Sequence, residues 1–361
     1  VADPPVYAPR QDVDERIAML TGQLANLQFT QGLRLLGTRG SGKTTVLLRL
    51  RNLIRARGWL APYFARRPGM PITAQLADAV SQAIRERGGR DPLRSAARRQ
   101  THWKASGKVP FTPIELGFES NAPEAGGDTF ALVKDAIREH LVNATPVVLL
   151  IDEADFLTAA EVEDTILDIA HDAALDDLPF AVVSGGTTQE YLAAMDGVLT
   201  SSGALTEAVE LKRLTDSEAF QVVTGTAALG GQDWSHSAIL PEFISVARGV
   251  PRHLQVMGFR AYEAVPRIGL DDGLRDAICS CRQQRDHLIA KVARSPAEQT
   301  AILAIERILR DGRVHRWHLH RAVDASLRST SGESIDFDDC IIRLQQAGLV
   351  EAHTDWTLEW V

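Results

Sequence analysis

The spacing of apolar residues along this 361-residue chain changes twice, and each change marks a new kind of structure. Ile17, Leu20, Leu24 and Leu27 recur at helical spacing, which predicts a helix over 12–29. A short apolar run from Leu33 to Leu36 breaks into a glycine-rich turn, and the helical period resumes from Thr44 to Ile54. A strand is predicted at 59–64 and a helix over 72–84. Phe130, Val133, Ile137 and Leu141 form another helical stripe. Pro146 then introduces Val147-Val148-Leu149-Leu150-Ile151, an unbroken apolar run that suits a central parallel strand covered on both faces. Shorter runs follow at 180–183 and 209–211. Strands alternating with helices predict a doubly wound α/β domain with a parallel sheet.

From Ser217 onward the strand pattern stops. Helical stretches at 217–228, 238–248, 251–264 and 271–292 predict an all-α domain. The last segment opens on Ser295-Pro296-Ala297-Glu298, a capping box with proline at the first helical position. Its helix carries Ile302, Ile305 and Leu309 and stops at Asp311-Gly312. A second helix is predicted over 316–327, and a third carries Phe337, Ile341 and Leu344. Residues 349–352 and 357–361 then flank 353–356 as a hairpin. Three helices and a hairpin are the make-up of a winged helix. The expected organisation is an α/β core over 1–213, an all-α lid over 214–292 and a winged helix over 293–361. Residues 85–127 break the core pattern. They are rich in Arg, Gly, Pro and Ser, with one extended patch at 114–118, and read as an insertion that is partly loop.

Composition narrows the class. At 45% hydrophobic the chain can bury a sizeable core, and its length suits two or three domains. The net charge of −8 argues against a general polyanion binder, so any nucleic-acid contact must come from a local patch. Cys279, Cys281 and Cys340 form an odd set without framework spacing, as expected of small core thiols in a reducing cytoplasm. The first residues lack a charged-then-apolar signal pattern, and no apolar run reaches bilayer length. A soluble cytoplasmic protein without a membrane partner is the expectation.

Two motifs carry chemistry. Gly37-Thr38-Arg39-Gly40-Ser41-Gly42-Lys43-Thr44 fits G-x-x-x-x-G-K-[ST] between a predicted strand and a predicted helix. Glycines let the backbone N–H groups turn inward around a phosphate, and the helix N-terminus adds its positive end. Lys43 would reach the terminal phosphates, and the Thr44 hydroxyl would ligate magnesium, with Thr45 beside it in the nucleotide-binding set. Leu149-Leu150-Ile151-Asp152-Glu153 places two carboxylates at the carboxyl end of a buried strand, where open α/β sheets bind ligands. Asp152 would hold the magnesium and Glu153 would orient the attacking water. ATP and Mg2+ are the implied cofactors.

With these motifs in this order, the chain resembles the AAA+ ATPases, in the branch with a C-terminal winged helix that includes the origin-recognition initiators and bacterial ATP-binding proteins. The resemblance implies further site residues. Strand 180–183 runs into Ser184-Gly185-Gly186-Thr187, where the family carries its polar sensor 1. Ser184 is the candidate there, with Thr187 second, although Asn or Thr is more usual in the family. Gly249-Val250-Pro251-Arg252 resembles the sensor 2 motif, which would bring Pro251 and Arg252 to the nucleotide and Arg252 onto the γ-phosphate. Tyr7-Ala8-Pro9-Arg10 resembles the adenine-side segment.

The partner stays open between DNA and protein. Over 85–108 the insertion carries Arg85, Arg87, Arg90, Arg94, Arg98, Arg99, Lys104 and Lys108 around Trp103, against Glu86 and Asp91. Arg94, Arg98, Arg99 and Lys104 are candidate phosphate-backbone contacts, and a solvated loop is the alternative. The third winged-helix helix begins with Asp336, Asp338 and Asp339, which would repel DNA. Arg313, Arg316 and Arg321 are better phosphate candidates, and protein docking stands beside DNA reading. The spacing of His315, His318 and His320 does not suit zinc. The family resemblance also implies an arginine, donated by a neighbouring subunit, from the stretch Gln189 to Leu211. That stretch contains neither Arg nor Lys. Slow intrinsic hydrolysis is the expectation, and the oligomeric state is left open.

Overall fold

The computed structural model describes residues 6–30, 32–88, 126–186, 207–309, 313–330, 335–346, 349–352 and 357–360. The four candidate DNA contacts of the insertion, Trp103, the patch at 114–118, Thr187 and residues 189–206 lie outside them. Five parallel strands form the sheet of the core in the order β2-β3-β4-β1-β5: β1 Leu33–Leu36, β2 Tyr63–Ala65, β3 Val147–Asp152, β4 Phe180–Gly186 and β5 Glu207–Glu210. On one face lie α1 (Gln11–Ala25) and α2 (Lys43–Ala56). Their apolar stripes Val13, Ile17, Leu20, Leu24 and Val46, Leu47, Leu50, Ile54 pack on Leu35, Val148, Leu150 and Val183. The other face is covered by α3 (Ile72–Glu86), α4 (Gly126–Val142) and a helix α5 over 159–175 that contains a π-helical stretch, Val162–Leu167. With both faces covered, β3 is buried at every position, as its unbroken apolar run requires.

Three local outcomes differ from the sequence pattern. The strand expected at 59–64 is interrupted at Pro62, which has no N–H to donate, so only Leu60 bridges to Val147 before β2 begins at Tyr63. Helix α5 was not anticipated, although Thr158 and Glu161 form a reciprocal capping box at its start. Leu27 does not extend the buried stripe of α1. It sits beyond the helix end at φ 58° and is exposed.

The lid consists of α6 (Asp216–Leu229), α7 (Leu240–Ala247), α8 (Pro251–Ile268) and α9 (Leu270–Val292), around a core that includes Trp234, Phe243, Leu254 and Leu274. The last unit has α10 (Pro296–Leu309), α11 (Arg316–Thr330) and α12 (Phe337–Gln346), with a three-stranded antiparallel sheet in the order β6-β8-β7. Strands β7 (Val350–Ala352) and β8 (Thr357–Trp360) are the expected hairpin, and β6 (Val314–His315) adds a third strand too short to read from its pattern. The element order, helix–strand–helix–helix–hairpin, is that expected of a winged helix. Helix α9 belongs to two cores: Leu274 and Ile278 pack in the lid, Ile289 in the last unit. Of the cysteines only Cys340 is a core residue; Cys279 is exposed and Cys281 half-buried. Among the described residues there is no group of three or more His, Cys, Asp and Glu that could hold a metal. No helix among the described residues is long and apolar enough to cross a membrane.

Within the lid, the first residue meets the turn before α8 backbone to backbone. Leu214 N–H donates to Gly249 O at 2.8 Å, and a Cβ on Gly249 would lie 2.1 Å from Leu214 O, on a backbone already at φ 68°. Gly249→Ala is therefore expected to lower stability by roughly 2–5 kcal/mol, combining a left-handed backbone with an unrelieved clash. Gly22→Ala, in open space on α1, should raise it by about 0.5–1 kcal/mol through helix propensity. Denaturant melts of the two variants check the pair. Equal effects would mean that the close Leu214–Gly249 approach does not support the lid.

Candidate functional site

The loop between β1 and α2 is shaped by its glycines. Gly40 and Gly42 have φ of 90° and 99°, a backbone region that side chains rarely tolerate, and Gly42 caps α2 without any side-chain hydrogen bond. The first N–H groups of α2 are thus turned to a ligand rather than to a cap, and the helix end contributes partial positive charge. The Ser41 hydroxyl is buried in this loop without a hydrogen-bond partner. Lys43 folds back across the loop, its Nζ donating to Gly37 O at 2.6 Å and Thr38 O at 3.0 Å. Arg39 and Thr44 are exposed. Thr45 lies one residue further into the helix and lines the cavity described below.

The carboxylates stand across from this loop. Asp152 ends β3 and is only 4% exposed, so its charge needs donors. Oδ1 accepts from Glu153 N–H at 3.0 Å, and Oδ2 from the Tyr63 hydroxyl at 3.1 Å. Burial, and then the neighbouring Asp152 charge, push the Tyr63 phenol well up, which keeps it a donor. Glu153 takes a left-handed backbone, φ 52°, turning the chain sharply and leaving its side chain exposed. The buried Asp152 carboxylate and the Thr44 hydroxyl are hard oxygen donors of the kind Mg2+ takes alongside phosphate oxygens.

The lid supplies the third side. The Arg252 N–H donates to Gly40 O at 3.2 Å, and a Cβ on Gly40 would lie 2.7 Å from Arg252 Cβ, so the arginine stem runs along the loop. Pro251 occupies the first turn of α8, and its ring faces Gly42. Two helix N-termini, those of α2 and α8, thereby converge on one place and add their positive ends. Arg10 closes the fourth side, donating from Nη2 to Ser41 O at 2.8 Å, and burial lowers its pKa. Beside the loop opens a cavity of about 490 Å³, lined by Tyr7, Ala8, Val46, Leu214, Pro251 and Tyr262 among others. Its size and apolar walls suit a flat base. Tyr7 is clamped there by Asp14 at 3.3 Å and by the Arg49 guanidinium 3.8 Å from its ring. Burial, then Asp14, push its hydroxyl up to about 12.

One expected site residue falls elsewhere. Side chains alternate along β4: Ala181 and Val183 pack on the α2 face and Phe180 on the opposite one, which places Ser184 opposite to Asp152. The α2 face continues at Gly185, where a Cβ would lie 3.4 Å from Lys43 Cβ and 3.6 Å from Asp152 Oδ1. The polar sensor expected of Ser184 is a glycine at the position that faces the loop. Tyr63 is the residue that sequence reasoning missed. Its signal is a polar-tipped aromatic on the strand next to β3, two residues before the partner of Asp152.

Residues 30–189 match a family model described as AAA domain. No curated protein matches the chain by sequence. Among solved structures, ORC2 of Aeropyrum pernix in its ADP form has a TM-score of 0.58 at 16% identity, covering 100% of this chain and 91% of its own. Cdc6p of Pyrobaculum aerophilum has a TM-score of 0.52 at 16% identity, with 99% and 93% covered. ORC1 of Aeropyrum pernix, solved in complex with DNA, has 0.51 at 18% identity, with 99% and 89% covered. Residues 30–189 thus match an AAA domain, and the chain shares the fold of these structures along its length.

Proposed function

We propose that this protein is an ATP-binding, slowly hydrolysing molecular switch that works on DNA, built as a core over 1–213, a lid over 214–292 and a winged helix over 293–361. The reading rests on the convergence of the Gly37–Thr44 loop, Asp152 and the Arg252 turn on one place beside an apolar cavity. The loop and the two helix ends hold the phosphates, and the cavity takes the adenine. Thr44 and Asp152 hold Mg2+, which supplies charge neutralisation when bound. Glu153 orients water, and Arg252 reports the terminal phosphate to the lid. Ser184 lies off this face, and Gly185 leaves its place without a polar group.

Slow hydrolysis is supported by the cations that are missing. Lys212 and Arg213 are the first basic residues after the stretch 189–211. Lys212 pairs with Asp12 at 3.7 Å, and Arg213 donates to Trp360 O in the last unit. DNA is supported by the cations of the insertion and by the DNA complex of the ORC1 structure. A second reading, a switch acting on a protein partner through the winged helix, has its own observation. Arg316 pairs with Asp338 at 2.7 Å and Arg313 with Glu210, so two of the three phosphate candidates of that unit are already neutralised.

Lys43→Ala is expected to weaken ATP binding by about 100-fold, the scale of a lost charge-assisted contact, with unchanged circular dichroism. Calorimetry showing wild-type affinity would remove the phosphate-loop assignment. Steady-state turnover of the purified protein should be slow and flat in its own concentration, because a supplied arginine is worth about 10³–10⁵ in rate. Glu153→Gln should bind ATP and turn over more slowly still. Turnover that climbs steeply with concentration would show that self-assembly completes the site. DNA binding should need ATP and fall with salt. Replacing Arg94, Arg98, Arg99 and Lys104 with Ala should flatten the logarithmic salt slope by about 0.9 per lost phosphate contact while ATP binding persists. No DNA binding at low salt would leave the protein-partner reading.

A further inference from the structure

Asp152 stands out among the buried carboxylates because its contacts fix a plane. Each oxygen has one protein donor, Glu153 N–H on Oδ1 and the Tyr63 hydroxyl on Oδ2. One donor alone would let the group swing about its Cβ–Cγ bond. Two donors on two oxygens hold the plane and leave the remaining lone pairs aimed outward. The Glu153 contact comes from the next residue's backbone and accompanies any chain that turns as this one does. The Tyr63 contact comes from another strand.

That contact follows from register. Tyr63 pairs with Leu150 and Ala65 with Asp152, so Tyr63 and Asp152 are diagonal neighbours on one face of the sheet. A diagonal of about 7–8 Å between backbones is within reach of a tyrosine and of few other side chains. The ring is held from behind, with the Arg51 guanidinium 5.6 Å from its centre. Arg51 is itself fixed by two 2.9 Å hydrogen bonds to the oxygens of Glu86 at the end of α3. The ring also packs against the cluster beneath α1 and α2. A phenylalanine would meet both packing demands equally well. What the hydroxyl adds is the hydrogen bond to Asp152.

We propose that Tyr63 is a positioning residue for the metal-binding carboxylate: its hydroxyl holds Asp152 in the orientation that binds the divalent cation accompanying the nucleotide. This rests on the reading of Asp152 as the metal carboxylate. Groups that hydrogen-bond to a metal ligand set its orientation, and their loss costs about 10–100-fold in metal affinity. Loss of a donor also makes an oxygen more basic, which acts in the opposite direction. At Asp152 the orienting effect dominates, because only one other donor remains.

The experiment uses the full chain and two probes, ADP and Mn2+. ADP affinity is measured without metal, and the ADP-bound protein is then titrated with Mn2+ by paramagnetic resonance. Tyr63→Phe is expected to bind ADP without metal within about twofold of wild type, while its half-saturating Mn2+ concentration rises at least about tenfold. Unchanged or tighter Mn2+ binding by Tyr63→Phe would overturn the proposal. Loss of metal-free ADP binding would overturn it too, since the hydroxyl would then be supporting the loop rather than the carboxylate. Asp152→Asn separates the two levels. If it binds Mn2+ as wild type does, the metal reading of Asp152 itself falls. If it loses Mn2+ while Tyr63→Phe keeps it, only the role of Tyr63 falls.

Discussion

The contact on which this architecture depends is the approach of the turn 248–252 to the glycine loop. It is possible only because two positions lack a Cβ. Gly249 lets the turn close on Leu214 at the start of the lid, and Gly40 lets the Arg252 stem lie against the loop. Everything that defines the site on the lid side follows from this: the convergence of two helix ends, the cavity wall at Pro251, and the reach of Arg252. His253 lies among Arg213, Arg248 and Arg252, and burial foremost, with those cations, lowers its pKa. The sign is simple. The unfolded chain therefore binds this proton at a higher pH than the folded one, so stability falls as the pH drops through the ordinary imidazole range.

The same turn reaches outward in the opposite direction. Arg248 caps α7 in a left-handed conformation, φ 52°, and pairs with Glu306 of α10 at 3.4 Å, which also accepts from Arg285 of α9 at 3.0 Å. Glu306 is 3% exposed. Removing one partner of a buried ion pair costs far more than the pair's net worth, so loss of these arginines would leave the Glu306 charge uncompensated where lid and last unit meet. Only three residues therefore separate Arg252, which touches the glycine loop, from Arg248, which touches the last unit. Any movement of Arg252 would have this short route to the last unit.

Much of the site was legible in the sequence because it is local. A phosphate loop needs glycines at fixed offsets and a helix directly behind them, and both sit within a few consecutive residues, Gly37 to Thr45. The Asp152-Glu153 pair was readable because an unbroken apolar run announces a central strand, and the chain must turn where that run ends. The three hydrophobic regimes were readable because period and length distinguish a covered parallel sheet from helices. Errors of detail came from residues whose local signal was weak or misjudged, such as Pro62 in a predicted strand and the capping box at Thr158.

What the sequence by itself determined, then, is the parts: a parallel core, its phosphate loop, its acidic strand end, an all-α region and a final unit of helices and a hairpin. The tertiary structure decided which parts face one another. Strand alternation put Gly185 rather than Ser184 toward Lys43, and a frame of one residue cannot be read without knowing which face a helix covers. The register of β2 against β3 brought Tyr63 to Asp152 across 89 positions of chain. The lid brought Arg252 to Gly40 from still further away. Periodicity reports the environment of each residue along its own element, whereas pairing between elements is set by packing of the whole sheet and lid, which no local pattern encodes.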